Sequence, residues 1–143
     1  IQRDIVGQFD EGMVLKPAVK YRDGWRPFAP SMLEEAAGEY LEGASYAPFM
    51  IMTFPVREEK KAEIPAVVHI DGTTRPQMVR RSVNPLYYDM IERFGEKTGV
   101  PVVMNTSFNL KGEPVVNSPR DAVRTFYSSG LDALAIGSFL IEK

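Results

Sequence analysis

The run NPLYYDMIERFGEKTGVPVVMNTSFN, residues 84–109, decides the fold. Asn84 followed by Pro85 supplies an N-cap and then a proline at the first helical position, where its missing N–H costs nothing. Leu86, Met90, Ile91 and Phe94 recur at helical spacing, and Gly99 stands where a left-handed C-terminal cap belongs. The next five residues, VPVVM, are continuously apolar and too few for a helix, which suits a strand buried on both faces. A helix followed by a buried strand is thus predicted, and the strand delivers Asn105, Thr106, Ser107 and Asn109 into a loop.

The flanks repeat this alternation. Ser118-Pro119 opens a second helix by the same logic, with Ala122, Val123, Phe126 and Tyr127 inward and Gly130 ending it. Residues 134–136 and 139–141 then give one or two closing strands. Upstream, Ser31-Met32-Leu33-Glu34 has the capping-box form. Leu33, Ala37, Tyr40 and Leu41 follow at helical spacing, so a helix is expected to run to Leu41 and stop at Gly43. Residues 49–56 and 66–70 are strand candidates, and the charge run REEKK at 57–61 between them reads as a flexible, solvated loop. Helix and strand in alternation argue for crossover connections, an α/β or α+β sheet, and one domain over residues 1–143.

Composition narrows the chemistry. The 143 residues carry 17 Lys+Arg against 19 Asp+Glu, a net charge of −2, so no broad basic face for nucleic acid is expected. There is no cysteine, which removes disulfides, thiolate nucleophiles and Cys-ligated metals. The one histidine, His69, cannot build a multi-histidine metal site alone. No apolar run approaches the roughly 20 residues of a membrane helix, and the N-terminus has no signal-peptide pattern, so a cytoplasmic location is expected. Ile1-Gln2-Arg3-Asp4 reads like the interior of something longer, as in an excised C-terminal domain.

Three polar clusters are the candidate sites. Lys20 and Arg22, two apart, project to one side of an extended segment and can converge on an anion, with Arg26 beyond an Asp23-Gly24 turn. The second, HIDGTTRPQ at residues 69–77, follows a strand candidate, turns at Gly72, and again places Arg75 and Gln77 two apart. In the third, Ser107 and Asn109 can both face a crevice at a strand end, where a hydroxyl and an amide bind phosphate oxygens, ribose or a planar urea-like group. Glu113 beyond them is a candidate metal or hydroxyl partner. Phosphate-loop, nucleophile-elbow and dinucleotide signatures are absent.

Taken in order, KYRDGWRPFAPS (20–31), DGTTRPQ (71–77) and NTSFNLKGEP (105–114) strongly resemble the C-terminal domain of the nodulation and antibiotic-type O-carbamoyltransferases, and the ending from Ser118 to Phe139 is similar. The likeness covers residues 14–143. It implies a YrdC-like fold, a twisted mixed sheet with flanking helices, and formation of carbamoyl-adenylate from carbamoyl phosphate and ATP with Mg²⁺. It implies as well that a separate N-terminal domain of the ASKHA type, bearing an iron site, moves the carbamoyl group to an acceptor hydroxyl. The K-x-R and S-x-N signatures of YrdC-like domains match Lys20/Arg22 and Ser107/Asn109. On this resemblance Lys20 and Arg22 bind phosphate and carbamoyl anions and Arg75 is a second clamp. Ser107 and Asn109 hold phosphate or ribose oxygens, Asn105 binds the carbamoyl amide, and Arg26 is a phosphate ligand or an ion-pair partner. Thr74 and Pro76 depart from the family pattern, where a small and an aliphatic residue are expected. The competing readings are a non-catalytic YrdC-like module that holds nucleotide or RNA, with Arg75, Arg80 and Arg81 as its local basic patch, and a threonylcarbamoyl-adenylate synthase.

Overall fold

The computed structural model of the chain describes residues 4–6 and 28–143, which fall into two compact units. One comprises residues 28–105 with Ile5 and Val6, the other residues 106–143 with Asp4. In chain order the elements are β1 (Asp4–Val6), β2 (Ala29–Leu33), α1 (Ala37–Tyr40), β3 (Phe54–Pro55), β4 (Thr73–Thr74), β5 (Gln77–Val79), α2 (Pro85–Thr98), β6 (Val102–Thr106), α3 (Pro119–Tyr127), β7 (Ala133–Ile136) and β8 (Phe139–Glu142). This is a mixed α/β fold, as the alternation in the sequence predicts.

The first unit is organised by a four-stranded sheet of order β1-β6-β2-β5, in which β2 runs parallel to β5 and antiparallel to β6. Every residue of β2 and β6 is buried, so both strands are covered on both faces and need apolar or hydrogen-bonded side chains throughout. Register sorts those side chains. Ala29 stands opposite Asn105, Ser31 opposite both Val103 and Gln77, and Leu33 opposite Val79. Partners in register share a face, so one face is apolar at Leu33, Val79 and Val103 and polar at Ser31, Gln77 and Asn105.

Helix α2 covers the apolar end, where Tyr88 and Ile91 pack on Leu33, Val79 and Val103, with Met90 and Phe94 at the margin. Its ends match the sequence reading. Asn84 Oδ1 accepts from the Tyr87 N–H at 3.2 Å, and Gly99 closes the helix at φ 81°, its N–H donating to the Gly95 carbonyl at 2.8 Å. Gly95 is needed for a different reason: a Cβ there would lie 2.8 Å from Pro101 Cβ, so the helix sits directly against the segment entering β6.

The second unit has its own core among the described residues. Phe108, Ala122, Phe126 and Leu134 are buried together, flanked by Val116, Leu131, Ile136 and Ile141. Helix α3 begins at the Ser118 cap, whose Oγ accepts from the Asp121 N–H at 3.2 Å. Its last turn is closed by Lys143, whose Nζ donates to the Phe126 and Ser129 carbonyls and lies 4.7 Å from the Phe126 ring centroid. A cation is favoured there by the negative end of the helix dipole. The β7–β8 hairpin turns at Gly137, φ 58°.

Several expected elements are corrected. No helix runs from Ser31 to Leu41: residues 31–33 belong to β2, and the helix shrinks to Ala37–Tyr40. The capping box fails because Ser31 is fully buried and its hydroxyl donates to Gln77 Oε1 at 3.0 Å, while Glu34 pairs with Arg80, which holds the Glu34 carboxyl below its ordinary range. Of residues 49–56 only Phe54–Pro55 forms a strand, and Phe49, Ile51 and Met52 are exposed. The strand expected at 66–70 is replaced by a 3-10 turn over Pro65–Val67, consistent with the proline at its start. In α3 the inward residues are Ala122, Thr125 and Phe126, whereas Val123 and Tyr127 face solvent.

The charge run also folds more tightly than a solvated loop. It contains a 3-10 turn over Glu58–Lys60, and Lys60 reaches Glu39 at 2.7 Å and Glu63 at 3.0 Å. The buried Tyr40 hydroxyl donates to Glu63 at 3.2 Å. Burial, then the Glu63 charge, pushes the Tyr40 phenol up to about 12 from its ordinary 10.0. The folded state therefore keeps Tyr40 protonated where the unfolded chain ionises it, so this contribution is intact below pH 10.0 and is lost as pH rises to about 12. Denaturant midpoints should fall across that window, and Tyr40→Phe should make the fall shallower. An unchanged slope in the variant would remove Tyr40 from the account.

Candidate functional site

In the first unit, the polar end of the α2-side sheet face is a closed hydrogen-bonded cluster drawn from three strands. Asn105, only 3% exposed at the end of β6, donates through Nδ2 to Ser31 Oγ of β2 and to Gln77 Oε1 of β5, both at 2.7 Å. Burying such groups is costly unless they pair, and pairing across three strands fixes the amide planes. Ser31 and Gln77 are the members that sequence reasoning missed. Ser31 carries the local pattern of a helix cap, and Gln77 stands out only for its spacing from Arg75.

Arg75 occupies the short connection between β4 and β5 and is exposed. Its Nη1 donates to the Met50 carbonyl at 2.9 Å, in a loop where Met50 takes the left-handed φ of 55°. The turn before it is tightly tied. Asp71 Oδ1 accepts from the Thr73 hydroxyl at 2.7 Å and the Thr73 N–H at 3.0 Å, which hold the Asp71 carboxyl below its ordinary value. His69 Nδ1 lies 3.1 Å from the Thr73 hydroxyl, and the Gly72 turn has φ 79°. Thr74 is fully buried and donates to the Val67 carbonyl at 2.7 Å. Arg75 thus leaves a rigid two-residue strand as an exposed guanidinium, a form suited to bidentate contact with a phosphate or carboxylate. Although Arg75 and Gln77 are two apart, Gln77 is drawn into the polar cluster while Arg75 reaches the 48–52 loop.

In the second unit, Ser107 and Asn109 are brought together. The Ser107 hydroxyl donates to Asn109 Oδ1 at 2.7 Å, and Asn109 Nδ2 donates to the Glu113 carbonyl at 2.9 Å. Phe108, between them, points into the core, and its carbonyl accepts from the Val116 N–H at 2.8 Å. The loop is therefore anchored by an alternation of one buried ring between two polar side chains. Glu113 contributes its backbone rather than its carboxylate to this arrangement. Among the described residues no group of three His, Asp or Glu is placed to hold a metal ion. No helix of the described residues is long and apolar enough to cross a membrane. Lys20, Arg22 and Arg26 lie outside the described residues.

Residues 2–143 match the family model described as "Carbamoyltransferase C-terminus". The chain belongs to this family. Among its relatives it is 50% identical over 128 residues to nodulation protein NolNO of Sinorhizobium fredii, covering 87% of this chain and 19% of that protein. It is 46% identical over 132 residues to nodulation protein NolO of Bradyrhizobium diazoefficiens, covering 90% of this chain and 24% of that protein. It is 34% identical over 125 residues to the 3'-hydroxymethylcephem-O-carbamoyltransferase of Amycolatopsis lactamdurans, covering 87% and 24% respectively. The chain thus spans about a fifth to a quarter of the length of these relatives. The family match takes in all three polar clusters of this carbamoyltransferase C-terminus: Lys20/Arg22, His69–Gln77 and Asn105–Asn109.

Proposed function

We propose that this chain is the donor-activating domain of an O-carbamoyltransferase, forming carbamoyl-adenylate from carbamoyl phosphate and Mg²⁺-bound ATP. The observation that carries the reading is its membership of the carbamoyltransferase C-terminus family over residues 2–143, with a relative named as an O-carbamoyltransferase covering 87% of the chain. The chemistry balances in two steps. Water releases inorganic phosphate from carbamoyl phosphate, leaving carbamate; a carbamate oxygen then attacks the α-phosphorus of ATP, and pyrophosphate leaves. Negative charge gathers on phosphate oxygens throughout, so the domain works by positioning and by cationic stabilisation. Lys20 and Arg22 hold the phosphate and carbamoyl anions, and Arg75 is the second clamp. Ser107 and Asn109 bind phosphate or ribose oxygens from their anchored loop, Asn105 takes the carbamoyl amide, and Arg26 serves a phosphate or an ion pair. Transfer to an acceptor hydroxyl is assigned to a partner domain of the ASKHA type carrying an iron site, within a longer polypeptide of the relatives' size.

Calorimetry tests this directly. The chain should bind Mg²⁺-ATP, and carbamoyl phosphate should alter that binding. Lys20→Ala should weaken binding on the order of 10- to 100-fold, the loss expected for one charge-assisted hydrogen bond, while Lys97→Ala at the end of α2 should leave it unchanged. No heat from either ligand in a folded sample, or equal losses in both variants, would overturn the assignment.

A further inference from the structure

The Ser31–Gln77–Asn105 cluster uses its hydrogen-bonding groups unevenly. Asn105 Nδ2 has two hydrogens and spends both, on Ser31 Oγ and on Gln77 Oε1. Gln77 Oε1 has two acceptor positions and fills both, since the Ser31 hydroxyl also donates to it at 3.0 Å. Turning either amide alone would put oxygen against oxygen or nitrogen against nitrogen, whereas turning both together keeps every bond and only exchanges which residue presents the donor and which the acceptor. What remains is one acceptor, Asn105 Oδ1, and one donor, Gln77 Nε2. Neither has a partner among the described residues, and neither is among the atoms sealed from solvent without one. A cyclic amide pair would have joined them to each other; here they stay separate, on one sheet face of the two strands that flank β2, at the end α2 does not cover.

An acceptor beside a donor is the complement of a primary carbamoyl group, whose N–H donates and whose carbonyl oxygen accepts. We propose that the outward amide atoms of Asn105 and Gln77 together read the planar amino-carbonyl group of the carbamoyl donor, one accepting from its N–H and the other donating to its carbonyl oxygen. Ser31 is the positioning residue that ties the two amides to each other, so that one outward donor and one outward acceptor are always left. The inference rests on the donor chemistry proposed above and adds to it a basis for selectivity. Acetyl phosphate differs by a methyl in place of the amine, nearly the same size, so shape alone distinguishes the two poorly. A fixed, largely desolvated acceptor left facing a methyl is penalised, and sites built this way discriminate strongly.

The experiment compares carbamoyl phosphate, acetyl phosphate and inorganic phosphate by calorimetry with the unsubstituted chain and with Ser31→Ala and Gln77→Met. Carbamoyl phosphate should bind at least about ten-fold more tightly than acetyl phosphate. That ratio should fall to within about three-fold in Gln77→Met and fall clearly in Ser31→Ala, with inorganic phosphate affinity unchanged in both. The ratio, rather than either affinity, is decisive, because a general loosening of the site weakens both acyl phosphates alike. A starting ratio near one with carbamoyl phosphate still bound overturns the inference and leaves the proposed function standing. A ratio that survives both substitutions overturns it equally. Absence of carbamoyl phosphate binding in the unsubstituted chain overturns both. If Gln77→Met does not fold, the starting ratio and Ser31→Ala decide.

Discussion

Carbamoyl-phosphate-dependent exchange of pyrophosphate into ATP should drop by about 10²–10³-fold in Arg75→Ala or Ser107→Ala of the longer enzyme, the loss seen when one preorganised charge-stabilising donor is removed. Product formation should fall with it, while transfer from supplied carbamoyl-adenylate stays largely intact. The split follows from the chemistry: these side chains are assigned to phosphoryl charge that develops only while the adenylate forms. Arg75 needs a structural control, because its Nη1 also holds the Met50 carbonyl at 2.9 Å. Arg75→Lys keeps a cation but loses the planar fork, so it should recover only part of the exchange. Ser107→Ala breaks the 2.7 Å bond to Asn109 but leaves Phe108 in the core, so the loop should stay anchored and the fold intact. If both variants exchange normally yet fail to use supplied carbamoyl-adenylate, Arg75 and Ser107 belong to transfer or to a domain interface.

What the sequence reveals, and what it hides, depends on how local the cause is. Helix α2 is legible end to end because its signals are local: an Asn-Pro start, an apolar stripe and a left-handed glycine. Strand β6 is legible because burial on both faces leaves a run with no polar interruption until Asn105. Strand β2 is not, since Ala29-Pro30-Ser31-Met32-Leu33 is held by partners 46 to 74 residues away, Gln77 and Asn105. A serine three before a glutamate carries the same local pattern whether it caps a helix or lies inside a sheet, and here the long-range pairing wins. The same holds for the site. Pairs two apart are visible in the sequence, and Ser107/Asn109 are indeed bonded directly. The grouping of Ser31 and Gln77 with Asn105 exists only through register, which no short motif encodes.

Phe126→Ala should produce the largest loss of stability, about 3–5 kcal/mol, and lose it in the second unit first. Phe126 is fully buried, and among the described residues Phe108, Ala122 and Leu134 are the other buried members of its core. Removing the ring leaves a cavity among Phe108, Ala122 and Leu134, whose cost adds to the lost transfer free energy. The ring also carries the Lys143 contact that closes α3, at 4.7 Å to its centroid, so truncation removes a cation–π interaction with the packing. Hydrogen exchange should therefore rise across residues 106–143 before it rises in β2 and β6. Phe108 shares this core and sits between Ser107 and Asn109, so the same variant should loosen the polar loop and weaken ATP binding without touching a polar residue. Phe126→Leu, which keeps most of the volume, should restore much of both. Uniform exchange across the two units, or ATP affinity unchanged in a destabilised Phe126→Ala, would mean that this core does not position the loop.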